Sequence, residues 1–110
     1  MRELTERSAN ELDLASVMHA LSDPFRLRMV ASLLDAAELS CGDVGGPSDG
    51  DELAKSTRSH HLKVLREAGV ITTRYEGPRK LVSLRRADLD ARFPGLLAAV
   101  RAGASRVPAV

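Results

Sequence analysis

Apolar positions recur at helical spacing in the first third of the chain. Leu14, Val17, Met18 and Leu21 stand at i, i+3, i+4 and i+7, which lines one face of an α-helix. Ser22-Asp23-Pro24 interrupts the pattern and restarts it. Asp23 offers a carboxylate to the free amides of a helix start, and Pro24 carries the φ that a first helical residue needs. Leu27, Val30, Ala31 and Leu34 repeat the spacing, and Phe25, Met29 and Leu33 widen the apolar arc beyond half the circumference, so this second helix is expected to be the most buried. Residues 38–43 are too few for a helix. They lead into a stretch containing Gly42, Gly45, Gly46, Pro47 and Gly50, which reads as a mobile loop, and residues 51–54 can form one helical turn after it.

Residues 55–69 read Lys-Ser-Thr-Arg-Ser-His-His-Leu-Lys-Val-Leu-Arg-Glu-Ala-Gly. Counted from Ser59, Leu62 and Leu65 follow at three-residue steps and share a face with His61 and Ala68. Lys55, Arg58, Lys63 and Arg66 are then left for the outside, and Gly69 ends the helix. Small hydroxyl and imidazole groups with flanking cations on one face, and leucines on the other, are what a helix needs to lie in a DNA groove. The plain alternative is an amphipathic surface helix with solvated charges. Residues 70–75 are β-prone, Glu76-Gly77-Pro78-Arg79 is a turn and residues 80–84 are β-prone again, which predicts a hairpin with a cationic tip. Such a hairpin is marginal in water and must rest on the helical core. Arg74, Arg79 and Lys80 read as phosphate contacts, the alternative being edge-strand charges that discourage aggregation. Residues 87–92 can make a helical turn or two, and Pro94 can open a last helix through Leu96, Leu97, Val100 and Arg101.

Charge sharpens the groove reading through its distribution, since the net over 110 residues is only +1. Residues 1–54 carry four Lys/Arg against eleven Asp/Glu, a net of −7, whereas residues 55–86 carry nine against two, a net of +7. One contiguous third of the chain is therefore suited to a polyanion. Trp is absent, and Phe25, Phe93 and Tyr75 are the only Phe and Tyr residues, so stacking on single strands is poorly supplied and duplex DNA is the better match. The length suits one domain, placed at 11–102 between flexible ends 1–10 and 103–110. No apolar run of about 18 residues and no leader pattern appear, which suggests a cytoplasmic protein without membrane contact. A single cysteine, Cys41, fits a reducing compartment. No nucleophile–base arrangement, phosphate-cradling glycine loop or metal-ligand spacing speaks for an enzyme. Leu89, Phe93, Leu96, Leu97 and Val100, together with the first helix, exceed what one small core covers, and a homodimer interface is expected.

Helices, a groove-reading helix and a basic hairpin in this order make a winged helix-turn-helix, a mainly α fold with a small β-hairpin. Ala20-Leu21-Ser22-Asp23-Pro24-Phe25-Arg26-Leu27-Arg28, followed by Ser59-His60-His61-Leu62-Lys63-Val64-Leu65-Arg66-Glu67-Ala68-Gly69-Val70-Ile71, resembles the arsenic-repressor (ArsR/SmtB) family of bacterial transcriptional regulators over residues 12–95. The resemblance implies a homodimer paired through its first and last helices on a pseudo-palindromic operator, with recognition helices about 34 Å apart. By position, the family's base-contacting face would be Lys55, Ser56, Arg58, Ser59 and His60; Thr57 and Lys63 on the same helix, and Arg74, Arg79 and Lys80 on the hairpin, complete the expected DNA contacts. Arg58 stands where the family is usually apolar, and there it would offer a bidentate contact to guanine. His61 is expected to pack against the hairpin.

The family's thiolate motif is lost: Ser40 and Gly42 replace its two cysteines, with Cys41 between them, and no histidine follows His61 for the family's last-helix site. Weaker sensing candidates are an N/O site for nickel, zinc or copper built from His19 with Asp23, Glu3 and Glu6, and oxidation of Cys41. An organic effector or a protein co-regulator is also open. The rival function is an interaction module whose basic helix and hairpin bind an acidic partner protein.

Overall fold

The computed structural model describes residues 7–45 and 55–104. A short 3-10 turn, Ala9–Glu11, precedes α1 (Leu14–Leu21) and α2 (Pro24–Leu34); α3 (Lys55–Ala68) is followed by β2 (Ile71–Glu76), β3 (Arg79–Leu84), α4 (Arg86–Arg92) and α5 (Leu96–Ala104), with a two-residue strand β1 (Leu39–Ser40) ahead of α3. Part of the N-terminal segment expected to be flexible is tied down. The Ser8 amide donates to Glu11 Oε1, and the Arg7 carbonyl accepts from Arg85 Nη1 at 2.6 Å.

Both expected helix starts form. Asp13 caps α1 by accepting from the Ser16 amide, and Asp23 caps α2 by accepting from the Phe25 and Arg26 amides at 2.9 and 3.0 Å, with Pro24 in the first turn. Helix α2 contributes Met29, Val30, Leu33 and Leu34 to the core, where they meet Val17 and Ala20 of α1, Leu62, Leu65 and Ala68 of α3, and Leu97 and Val100 of α5. Its carbonyl end is braced from outside by arginines: Arg86 Nη2 donates to the Leu33 and Leu34 carbonyls. Helix α1 departs from the expected single stripe. Val17 and Ala20 are buried, but Leu14 and Met18 stand 47% and 56% exposed, so its apolar residues face both inward and outward.

The hairpin is antiparallel, with Glu76 opposite Arg79 and Ile71 opposite Leu84. It is not two-stranded as expected. β1 adds to the other edge of β3, Leu39 opposite Val82 and Ser40 opposite Leu81, giving the order β1-β3-β2. Two residues are too few to show a period in sequence; they are held by the free edge of β3, which the Cys41 amide extends by donating to the Lys80 carbonyl. The start of the expected mobile loop is likewise packed. Val44 is fully buried, and the Gly45 amide donates to Ser32 Oγ at 3.0 Å. The expected helical turn at 51–54 lies outside the described residues.

Gly69 joins α3 to the hairpin. Its φ is +88°, a left-handed conformation that favours glycine, and a Cβ there would collide with Leu12 Cδ2. The same turn lets the Val70 amide reach the Leu65 carbonyl, satisfying one carbonyl at the end of α3.

Candidate nucleic-acid interface

Helical geometry divides α3 into two faces. Ser56, Ser59, His60 and Lys63 stand at i, i+3, i+4 and i+7, and all four are exposed, with Thr57 exposed beside them. Leu62, Leu65 and Ala68 are buried on the opposite side. The structure therefore gathers five of the expected contacts on one outward face; of Lys55, only the backbone is described. Lys63 Nζ lies 3.9 Å from Glu67 Oε2, a surface pair open to competition from solvent or phosphate.

Arg58 does not join that face. It precedes His61, Leu62 and Leu65 by three, four and seven residues, the spacing of the inward stripe. Its Nη1 donates to the Val44 carbonyl, and its guanidinium lies 5.9 Å from the Phe25 ring centroid. In this conformation Arg58 fastens α3 to the turn after β1 and to α2, and the guanine contact expected of it is not presented. Arg66, also expected outside, is 8% exposed with an Nε that finds no hydrogen-bond partner.

His61 packs on α2, not on the hairpin as expected. Its ring centroid is 5.3 Å from that of Phe25, and its Nδ1 lies 3.2 Å from Arg26 Nη1. A guanidinium can only donate, so Nδ1 accepts and the proton of the neutral imidazole sits on Nε2. Burial is the main force pushing the His61 pKa below its usual value; nearby Arg26 and His60 act in the same direction and Asp23 opposes them. Arg26 itself is 8% exposed and donates through Nε to the Ala20 carbonyl at 2.7 Å, tying the end of α1 to α2 and α3.

On the hairpin, the three expected cations separate. Arg79 is exposed at the tip, and Lys80 is half-buried beside it. Arg74 forms a forked pair with Glu38, Nε to Oε2 at 2.7 Å and Nη2 to Oε1 at 2.8 Å, with Glu76 4.0 Å away. The Arg74 hydrogen bond holds the Glu38 carboxyl below its ordinary value and raises the Arg74 pKa in turn. Arg74 is thus already matched to a carboxylate, a surface pair that a phosphate contact would have to displace. Glu38 had no sequence signal, since it lies 36 residues from its partner. Arg85 and Arg86 also contribute to the basic run but are engaged within the fold, Arg85 with Asp88 and the Arg7 carbonyl, and the exposed Arg86 through Nη2 with the end of α2.

The sensing candidates are dispersed. His19 is exposed on α1, Asp23 is committed to capping α2, and Glu3 and Glu6 lie outside the described residues. Among the described residues, no group of three or more His, Cys, Asp or Glu side chains could hold a metal ion. Cys41 is half-buried against the core. No helix among the described residues is long and apolar enough to cross a membrane.

An outward polar helix face, anchored by leucines and followed by a three-stranded sheet whose hairpin projects a cationic tip, defines a winged helix-turn-helix DNA-binding regulator. Known proteins agree. The chain is 38% identical over 95 residues to the uncharacterized HTH-type transcriptional regulator YceK of Bacillus subtilis (strain 168), covering 86% of this chain and 92% of that one. It is 32% identical over 78 residues to the arsenical resistance operon repressor of Staphylococcus xylosus, covering 71% of each. The crystal structure of the transcriptional repressor BigR from Xylella fastidiosa superposes with a TM-score of 0.62 at 28% identity, over 93% of this chain and 91% of that one. No family model matches the sequence. The chain belongs to the arsenic-repressor (ArsR/SmtB) family of DNA-binding transcriptional regulators, a class without enzymatic activity.

Proposed function

We propose that this protein is a cytoplasmic homodimer that binds a pseudo-palindromic duplex operator, with α3 in the major groove and the β2–β3 tip over neighbouring phosphates. The observation that carries the reading is the outward row Ser56, Ser59, His60 and Lys63 on a helix whose opposite face is buried. Hydroxyls and a neutral or charged imidazole can serve base edges or phosphates, and Lys63 and Arg79 can meet the backbone charge. Leu14 and Met18, exposed four residues apart on α1, supply an apolar face for the second copy. Residues 11–102 form the working domain.

Two measurements test the proposal together. Sedimentation of the full chain reads its mass, and selection from a randomised duplex pool reads its preference. The expected outcome is a dimer that enriches an inverted repeat with half-sites about one turn of duplex apart, and whose affinity falls steeply with salt. A monomer that enriches no sequence, or a salt-sensitive complex with an acidic protein in place of DNA, would overturn it. Regulation by nickel or zinc is a second reading; one relative is named for repression of an arsenical resistance operon. Titration of the dimer with either metal, compared with His19→Ala, tests it directly.

A further inference from the structure

Between α2 and α5 lies a cleft of about 300 Å³, within the size range of small-molecule sites. Arg28 comes into it from α2 and Arg101 from α5, with Asp35 paired to Arg101; Ala31, Leu34 and Ala104 supply apolar wall. Two guanidiniums against one carboxylate leave the cleft one positive charge in excess.

Both arginines are positioned before any ligand arrives. Arg28 stacks on Phe25, its guanidinium carbon 5.4 Å from the ring centroid. Its Nε is shielded from water and without a hydrogen-bond partner, which leaves the Nη groups of the same guanidinium as the donors for an acceptor in the cleft. Arg101 is aimed by Asp35, Nη1 to Oδ1 at 2.9 Å, and keeps further N–H groups unspent because a guanidinium carries five. We infer that this cleft binds a small organic anion, a carboxylate or phosphate monoester with an apolar body, between the Arg28 and Arg101 guanidiniums.

The position of the cleft also supplies a route to the DNA-binding helix, an extension that rests on the regulator reading above. The Phe25 ring has the guanidinium carbon of Arg28 5.4 Å and that of Arg58, on α3, 5.9 Å from its centroid. Gly45 lines the cleft, while the carbonyl of the residue before it, Val44, accepts from Arg58. An anion bound to Arg28 in the cleft therefore acts on the same ring and the same turn that hold α3 in place.

The test uses the full chain without DNA. Amide resonances are followed while benzoate, phenyl phosphate or inorganic phosphate is added to about 10 mM, enough to reveal millimolar sites, with neutral benzamide as control. Saturable shifts at Ala31 and Ala104 with benzoate mark the carboxylate class, and with phenyl phosphate the phosphate class; benzamide should give none. Arg28→Gln and Arg101→Gln should each weaken binding at least tenfold. Arg101 is an exposed side chain, so its variant remains informative if Arg28→Gln proves unstable. Absence of saturable shifts with every anion, or undiminished binding by Arg101→Gln, would overturn the inference. In a second arm, the saturating anion should change affinity for the selected duplex at least threefold; binding without that change retains the site and refutes its coupling to DNA. If no duplex sequence is selected at all, the regulator reading fails while the DNA-free arm still decides the site.

Discussion

The DNA-binding helix and the hairpin are neighbours in sequence, yet they dispose of their polar groups differently. Helix α3 separates its faces cleanly: hydroxyls, His60 and Lys63 outward, leucines inward, with Arg58 recruited to the inner side by the Val44 carbonyl and Phe25. The hairpin leaves Arg79 exposed at its tip and neutralises Arg74 with Glu38. Under the proposal above, sequence reading falls to the helix, where varied donors and acceptors stand side by side, and charge attraction falls to the wing, where Arg79 is exposed and Arg74 is paired with Glu38. A basic run in sequence overstates the cations that DNA can meet, because several of its arginines are braces inside the fold.

The sharpest way to disturb this division is at the joint. Gly69→Ala places a Cβ on a left-handed residue and against Leu12, so a stability loss of about 3 kcal/mol is expected from the backbone and overpacking costs together, read as a lower urea midpoint. Arg58→Ala comes next. It strips the Val44 carbonyl of its donor and should cost about 1–2 kcal/mol of stability, while weakening specific and random duplexes alike. A loss confined to the preferred sequence would instead give Arg58 the guanine-reading role expected of an arginine where the family is usually apolar.

Smaller effects separate the two wing arginines. Arg79→Ala should flatten the salt dependence of duplex affinity by about one unit of log–log slope, whereas Glu38→Gln, which frees Arg74, should steepen it by a similar amount. Equal slopes for wild type and Glu38→Gln would show that Arg74 remains off the DNA. The least disruptive probe is pH. Because His61 has a folded-state pKa below its unfolded value, the unfolded chain binds the extra proton first; stability from this group is complete above about pH 6.5 and declines as pH falls through the depressed folded value. His61→Gln should reduce that part of the acid dependence of the melting temperature, leaving the carboxylate-driven loss at lower pH, to which Glu38 contributes as its own lowered pKa is passed.

Local chemistry made much of the fold legible. The Asp23-Pro24 start, the Gly69 stop and the two β-prone runs about the Gly77-Pro78 turn are written within a few residues each, and the structure places an element at every one. β1 was not legible, because two residues paired to a strand more than 40 positions later carry no period of their own. The site divided along the same line. The outward row of α3 follows from 3.6-residue geometry, whereas Arg58 and Arg66, expected outside with the other cations, turn inward. What drew them in was tertiary: a buried carbonyl at Val44 for Arg58, and a packed inner face for Arg66. The Glu38–Arg74 and Arg26–His61 pairs join residues 36 and 35 positions apart, beyond what spacing can reveal.

The division between reading helix and attracting wing is tested most directly by one ratio, the affinity for the selected duplex over that for random duplex, measured by fluorescence anisotropy at fixed salt. For Ser59→Ala combined with His60→Ala, the ratio should fall at least tenfold, a loss of about 1.4 kcal/mol or more, with random-duplex affinity nearly unchanged. For Arg79→Ala, both affinities should fall and the ratio should hold. An unchanged ratio in the helix variant, or a collapsed ratio in the wing variant, would contradict the assignment of sequence reading to the outward face of α3.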